Sequence, residues 1–256
     1  MSSRICRSEA LVMRHIEYGE ADRIVTLMTP TQGIIKGFAR AARKSRKRFG
    51  VSLEQFSRIE VQWRDGRNNL CSLQDAELLD ARLALRGDLQ DFAMACYGIE
   101  LVEMLLHEGE PHLEIYQLLQ AYLDRLAADG DHRVARLLFE LRLIQQLGYV
   151  PHLLHCSECF ESFTTDTGQA AFDAERGGSL CLPCAGSSPR LQFSVGTLGS
   201  LARSLQTPIT LFEGFRFGDV TLKEGGELLD SVFRGVLPRP PKSLSFLQET
   251  TVATDP

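Results

Sequence analysis

Long apolar runs are missing from this 256-residue chain: no stretch approaches the roughly 18 consecutive apolar residues of a membrane span. The N-terminus MSSRICRSEA likewise lacks the apolar core of a secretory signal, so the expectation is a cytoplasmic protein with no membrane partner. Catalytic signatures are missing too. There is no Walker A string, no G-x-S-x-G elbow and no acidic cluster for two-metal chemistry, and the six histidines are dispersed. His15-Ile16-Glu17 spells the H-x-E of zinc deaminases, but neither Cys156 nor Cys181 follows a proline, which the matching P-C-x-x-C requires. A binding protein fits better than an enzyme.

No internal repeat is found, and 256 residues exceed the usual single domain, so two or three modules are expected. Seven cysteines are an odd number, which argues against a disulfide framework. Cys6, Cys71 and Cys96 stand singly in apolar contexts and read as buried small hydrophobes. The net charge of −5 hides an asymmetry: residues 1–80 carry 14 Lys+Arg against 10 Asp+Glu, and the remainder 14 against 23. A polyanion meets the local field rather than the total.

Five β-rich segments separated by turn residues occupy the first 80 residues: Glu9–Tyr18, Arg23–Thr29, Ile34–Ala39, Phe56–Trp63 and Leu70–Leu79. Ile59, Val61 and Trp63 alternate with polar residues, as they do when one strand face is buried. Five short strands of this size predict an OB barrel. From about residue 88 the spacing becomes helical, with one apolar stripe at Ile115, Leu118, Leu119, Tyr122 and Leu126. A second runs through Val134, Leu137, Leu138, Leu141 and Ile144. Helical pattern returns at Ser194–Leu205, with Ser194 as N-cap, and again at Gly226–Leu237. The predicted class is α+β multidomain: an OB-fold domain over 1–80, a helical domain in two parts (81–151 and 191–238), a zinc-binding module over 152–190 inserted between them, and a mobile tail over 239–256.

Cys156-x-x-Cys159 and Cys181-x-x-Cys184, separated by 21 residues, have the spacing of a zinc ribbon. Gly168, Gly177 and Gly178 suit a hairpin between the two knuckles. Four thiolates fill a tetrahedron and leave no position for water, so one structural zinc ion per chain is expected. His152 and His155 flank the first knuckle and could compete as ligands, but four cysteines leave no vacancy for them.

Between Lys36 and Arg48 lie Lys36, Arg40, Arg43, Lys44, Arg46, Lys47 and Arg48, seven cations in thirteen residues without an acidic one. Such a block repels itself unless it is solvated or bound to a polyanion. It follows the third strand of the expected barrel, with Phe38, Phe49 and Phe56 nearby as candidate stacking surfaces.

The stretch Arg14-His15-Ile16-Glu17-Tyr18-Gly19-Glu20-Ala21-Asp22-Arg23, then Thr29-Pro30-Thr31-Gln32-Gly33-Ile34-Ile35-Lys36-Gly37-Phe38 with the basic run, and Leu53-Glu54-Gln55-Phe56, resembles the RecO family of bacterial DNA-repair proteins. The resemblance implies an N-terminal OB fold joined to a helical domain that carries a zinc module in many members. It also implies an activity: binding single- and double-stranded DNA, annealing complementary strands, and helping to load RecA, with RecR, onto DNA coated by single-strand binding protein. Under it the seven cations contact phosphate. The helical domain would take the acidic tail of single-strand binding protein, where Arg133, Arg136 and Arg142 could supply cations. A rival reading is a zinc-stabilised protein-interaction scaffold with incidental DNA contact.

Overall fold

The computed structural model of the chain describes residues 5–45, 47–66, 70–128, 130–164, 168–187 and 190–252. They fall into two compact units, one of Met1–Asp129 with Pro241–Pro256 and one of Gly130–Pro240.

The first unit begins with β1 (Ile5–Tyr18), β2 (Asp22–Thr29), β3 (Gly33–Ala39), β4 (Arg58–Arg64) and β5 (Leu70–Asp80), which close into a barrel in the order β1-β2-β3-β5-β4. The long β1 pairs with β4 through its first half and with β2 through its second. A register shift between Val12 and Arg14 bends it from one to the other. Closure then follows from a parallel pairing of β3 with β5, where Gly37 faces Cys71. A Cβ on Gly37 would lie 2.5 Å from the Leu73 side chain, so a glycine is needed there for Leu73 to fill the interior. The expected alternation on β4 holds: Ile59, Val61 and Trp63 join Val12, Val25, Leu27 and Leu73 in the barrel core. Each such side chain contributes about 1.5–3 kcal/mol by leaving water.

Behind the barrel lie α1 (Leu89–Leu105) and α2 (Leu113–Leu126). Asp88 caps α1 by accepting from the Gln90 and Asp91 amides. The expected stripe Ile115, Leu118, Leu119, Tyr122 and Leu126 is buried on α2. Arg82, itself buried, donates to Asp124 and Gln120 of α2 and to the Phe56 carbonyl, which ties helix to barrel. The turn after α1 docks on the barrel: the Gly109 amide donates to the Ile34 carbonyl at 2.9 Å, and a Cβ on Gly33 would lie 1.8 Å from the Glu110 carbonyl oxygen.

Residues 242–252 differ from the expected tail, because Lys242–Val252 form a helix, α7, that packs on α1. The Glu100 carboxylate accepts from the Lys242 and Ser243 amides and from the Ser243 hydroxyl, satisfying donors that a helix start leaves open. Residues 253–256 lie outside the described residues.

The second unit contains α3 (His132–Gln146), β6 (Gln169–Asp173), β7 (Gly178–Leu180), the short α4 (Leu182–Ala185), β8 (Leu191–Ser194), α5 (Val195–Ser204) and α6 (Asp219–Val236). The α3 stripe Val134, Leu137, Leu138, Leu141 and Ile144 is buried as expected. Ser194 caps α5 by accepting from the Thr197 amide. Strands β7, β6 and β8 form a small antiparallel sheet in that order. On α6, a Cβ on Gly225 would lie 2.9 Å from Leu137 and 3.5 Å from Leu201, so α3, α5 and α6 meet at that glycine.

Candidate metal centre and nucleic-acid interface

Two knuckles bring the four expected cysteines together. In the first, the Cys156 amide donates to the Glu161 carbonyl and the Phe160 amide donates back to Cys156, with Phe160 at a φ of 61° to complete the turn. In the second, Cys181 follows β7 and precedes α4, and the Ala185 amide donates to its carbonyl at 2.8 Å. The β6–β7 hairpin, turned at Gly177, carries the second knuckle to the first. Arg176 ties the two by donating to the Glu158 carboxylate and to the Cys184 carbonyl.

The four Sγ atoms of Cys156, Cys159, Cys181 and Cys184 all lie within 4.8 Å of one another, and those of Cys159 and Cys181 are 3.6 Å apart. A disulfide needs about 2.05 Å. A tetrahedral ion with bonds of about 2.3 Å to sulfur sets its ligands about 3.8 Å apart. The cluster therefore has the dimensions of a metal site and could bind a metal ion. Burial pushes the Cys156 thiol up, but the amides of Cys159, Cys181 and Glu158 that donate to its sulfur outweigh this and bring it down to about 6. Backbone donation at Glu161 lowers Cys159, yet hydrogen bonding to the sulfurs of Cys156 and Cys181 leaves it raised. Cys184 is raised chiefly by Cys181. Protons held between sulfurs are what a cation displaces when it binds thiolates. His152 and His155, for which four cysteines leave no vacancy, engage each other, Nδ1 to Nε2 at 2.7 Å, and stand outside the four-sulfur group.

The three solitary cysteines are partly buried rather than fully so. Burial nonetheless pushes Cys71 up to about 12 and Cys96 up to about 11.

The cations of the basic run differ in their partners. Lys36 sits on β3 and pairs with Glu108. Arg43 approaches Glu17 at 3.4 Å and donates to the Glu20 carbonyl. Arg48 donates to the Arg40 carbonyl at 2.7 Å and to Ser45, with its guanidinium 5.0 Å over the Phe49 ring. Arg46 lies outside the described residues. Arg40, Lys44 and Lys47 are exposed and have no ion pair among the described residues. Their loop is held in place: the Ala41 amide donates to Asp22 at 2.7 Å and the Arg43 amide to the Ala21 carbonyl at 3.0 Å.

Two of the three candidate stacking rings are core. Phe49 packs in the barrel interior, and Phe56, with no exposure, meets Phe92 edge to face at 5.4 Å. Phe38 is half-buried on the outer face of β3. The helical arginines also differ from expectation as free cations. Arg133 pairs with Asp131 and Asp219, and Arg136 with Glu140. Arg142 is 1% exposed, donates to Thr207 and the Ile209 carbonyl, and lies between the Phe212 and Phe215 rings at 5.0 and 5.3 Å. It closes a core and is not presented to a ligand.

Among the described residues, no helix is long and apolar enough to cross a membrane. Residues 1–82 match the family model described as Recombination protein O N terminal, and residues 86–245 match that described as Recombination protein O C terminal. A protein named DNA repair protein RecO from Syntrophotalea carbinolica is 52% identical over 248 residues, covering 96% of this chain and 95% of the relative. Relatives of the same name from Pelobacter propionicus and Geobacter sulfurreducens are 38% and 37% identical over 241 and 245 residues. They cover 94% and 96% of this chain and 95% and 98% of their own.

Proposed function

Because this chain belongs to the Recombination protein O family of DNA repair proteins, we propose that it is a non-catalytic recombination mediator. It binds single- and double-stranded DNA, anneals complementary strands, and with RecR helps load RecA onto DNA coated by single-strand binding protein. The observation that carries the DNA contact is the loop after β3. There Arg40, Lys44 and Lys47 are exposed without an ion pair among the described residues, on an anchored segment of an OB barrel. Cations placed so neutralise phosphates and release their counterions. Bringing two strands together requires only that their repulsion be lowered, so no bond is broken and no acid or base is needed. Phosphates carry no sequence information, and the preference for sequence is therefore weak. Arg43, Arg46, Lys36 and Arg48 add to the same field, Arg43 with its charge already directed at Glu17, Lys36 at Glu108 and Arg48 at the loop's own backbone.

The cysteine cluster supports a single structural zinc. The ion would supply a rigid tetrahedral cross-link, held by Cys156, Cys159, Cys181 and Cys184. The small core of Cys156, Ala171, Leu180 and Ala185 beneath it is too slight to order the module alone. Protein partners, RecR and single-strand binding protein, would dock on the acidic remainder of the chain, in the cytoplasm at the nucleoid. Mixing complementary strands labelled with a donor and an acceptor dye tests the activity. The protein is expected to raise the annealing rate, and a rate equal to that of the bare strands would refute the proposal.

A further inference from the structure

The face of the barrel turned away from its core carries an apolar strip that the fold does not use. Cross-strand register sets Ile16 opposite Ile24 and Ile24 opposite Phe38, so the three point the same way from β1, β2 and β3. Their chain neighbours Val25 and Ala39 turn inward to the core. Tyr18, two residues on from Ile16, shares that face, and its ring meets Phe38 edge to face at 5.8 Å. Ile16 is 53% exposed and Tyr18 56%, although both sit on a paired strand whose backbone cannot turn them away.

The cations stand beside this strip. Arg40 follows Phe38 by two residues, and the Asp22–Ala41 and Ala21–Arg43 hydrogen bonds fasten the loop carrying Lys44 and Lys47 to the β1–β2 turn that follows Tyr18. Exposed aromatic and aliphatic surface next to positive charge on an anchored loop matches one class of ligand well: a single nucleic-acid strand, whose unpaired bases offer flat faces to individual rings and whose linker is anionic. A duplex hides those faces within its own stack. Two rings held in a sheet also lose little freedom when a base settles on them.

We propose that unpaired bases stack on Tyr18 and Phe38, flanked by Ile16 and Ile24, while Arg40, Lys44 and Lys47 hold the phosphates of the same strand. This rests on the assignment of the loop to phosphate contact and adds to it a base-contacting surface that distinguishes single from double strands. Bases displayed on the outside of the barrel remain open to a complementary strand.

The experiment compares a thymidine oligomer with an abasic deoxyribose-phosphate oligomer of equal length and charge, both titrated against the full-length protein by fluorescence anisotropy. The wild type is expected to bind the thymidine strand roughly tenfold more tightly. The double variant Tyr18→Ser/Phe38→Leu should lose that preference while keeping the abasic affinity and the salt dependence. A second variant, Tyr18→Trp, leaves Phe38 and the barrel intact and places an indole on the strip, where the thymidine strand should quench it and the abasic strand should not. The only native tryptophan, Trp63, is buried in the barrel core. Equal wild-type affinity for the two oligomers, with a normal salt dependence, overturns the stacking surface and leaves the phosphate assignment standing. Binding to neither removes both. Equal affinities together with a wild-type dimer that the double variant dissolves would assign the strip to a second copy of the chain, and so also overturn the proposal.

Discussion

Replacing Arg40, Lys44 and Lys47 together by alanine should change the salt dependence of DNA binding by a calculable amount. These are the three described cations of the run that are exposed without an ion pair, so each is available to displace one counterion. Each phosphate contact contributes about 0.7 to the slope of log affinity against log salt on a single strand and about 0.9 on a duplex. The triple variant should therefore lose about 2 from the single-strand slope and about 2.7 from the duplex slope. Over a fourfold rise in salt, wild-type affinity for a single strand should fall roughly twentyfold further than that of the variant. Arg7, exposed on the same barrel but paired with Glu60, is the control: Arg7→Ala should leave the slope unchanged within error. The assay is fluorescence anisotropy of a labelled oligonucleotide across a salt series, with circular dichroism confirming that the variant is folded. An unchanged slope in the triple variant refutes the loop as the phosphate-contacting element.

Cys156→Ser or Cys181→Ser should abolish metal retention and lower hydrogen-exchange protection in β6 and β7 roughly a hundredfold, on the order of 3 kcal/mol, with DNA affinity preserved. Loss of DNA binding in these variants would give the cluster a role beyond structure. Arg142→Ala removes a buried guanidinium from between two rings and leaves Thr207 and the Ile209 carbonyl without their donor, so denaturant unfolding should register a loss of about 2–4 kcal/mol. A loss within half a kcal/mol would mean that the side chain is dispensable to the core. With Cys96 at about 11 and Cys71 at about 12, the reactive thiolate is scarce at neutral pH and grows as pH rises through those values. Iodoacetamide should thus modify both far more slowly at pH 8 than an ordinary thiol with a pKa of about 8.5, a difference that mass spectrometry of timed aliquots resolves. Modification at the rate of a free thiol would contradict their burial.

The barrel was legible because its strands carry a local signal: Ile59, Val61 and Trp63 occupy every second position, and the core does face them. The cysteine cluster was legible for the same reason, since the spacing within each pair is itself the turn that aims two sulfurs at one point. Pairings between distant positions were not. Nothing near Lys36 announces Glu108, 72 residues on, and a run of seven cations reads as uniform until its partners are known. The α7 helix was hidden similarly, because Pro238-Arg239-Pro240-Pro241 reads as a breaker and the group that anchors the next turn, Glu100, lies 142 residues before Lys242. Arg142 did leave a trace that charge alone obscured: it sits within Leu141-Arg142-Leu143-Ile144, a run too apolar for a solvated position. Ile16 and Tyr18 left another, as apolar residues on the strand face opposite the core.

The measurement that bears most directly on the account is annealing of complementary strands precoated with single-strand binding protein, with and without RecR, by the wild type and by the Arg40, Lys44 and Lys47 alanine variant. The wild type is expected to accelerate annealing, RecR to alter the wild-type reaction, and the triple variant to stay near the rate without added protein. A triple variant that anneals coated strands as fast as the wild type would contradict the account.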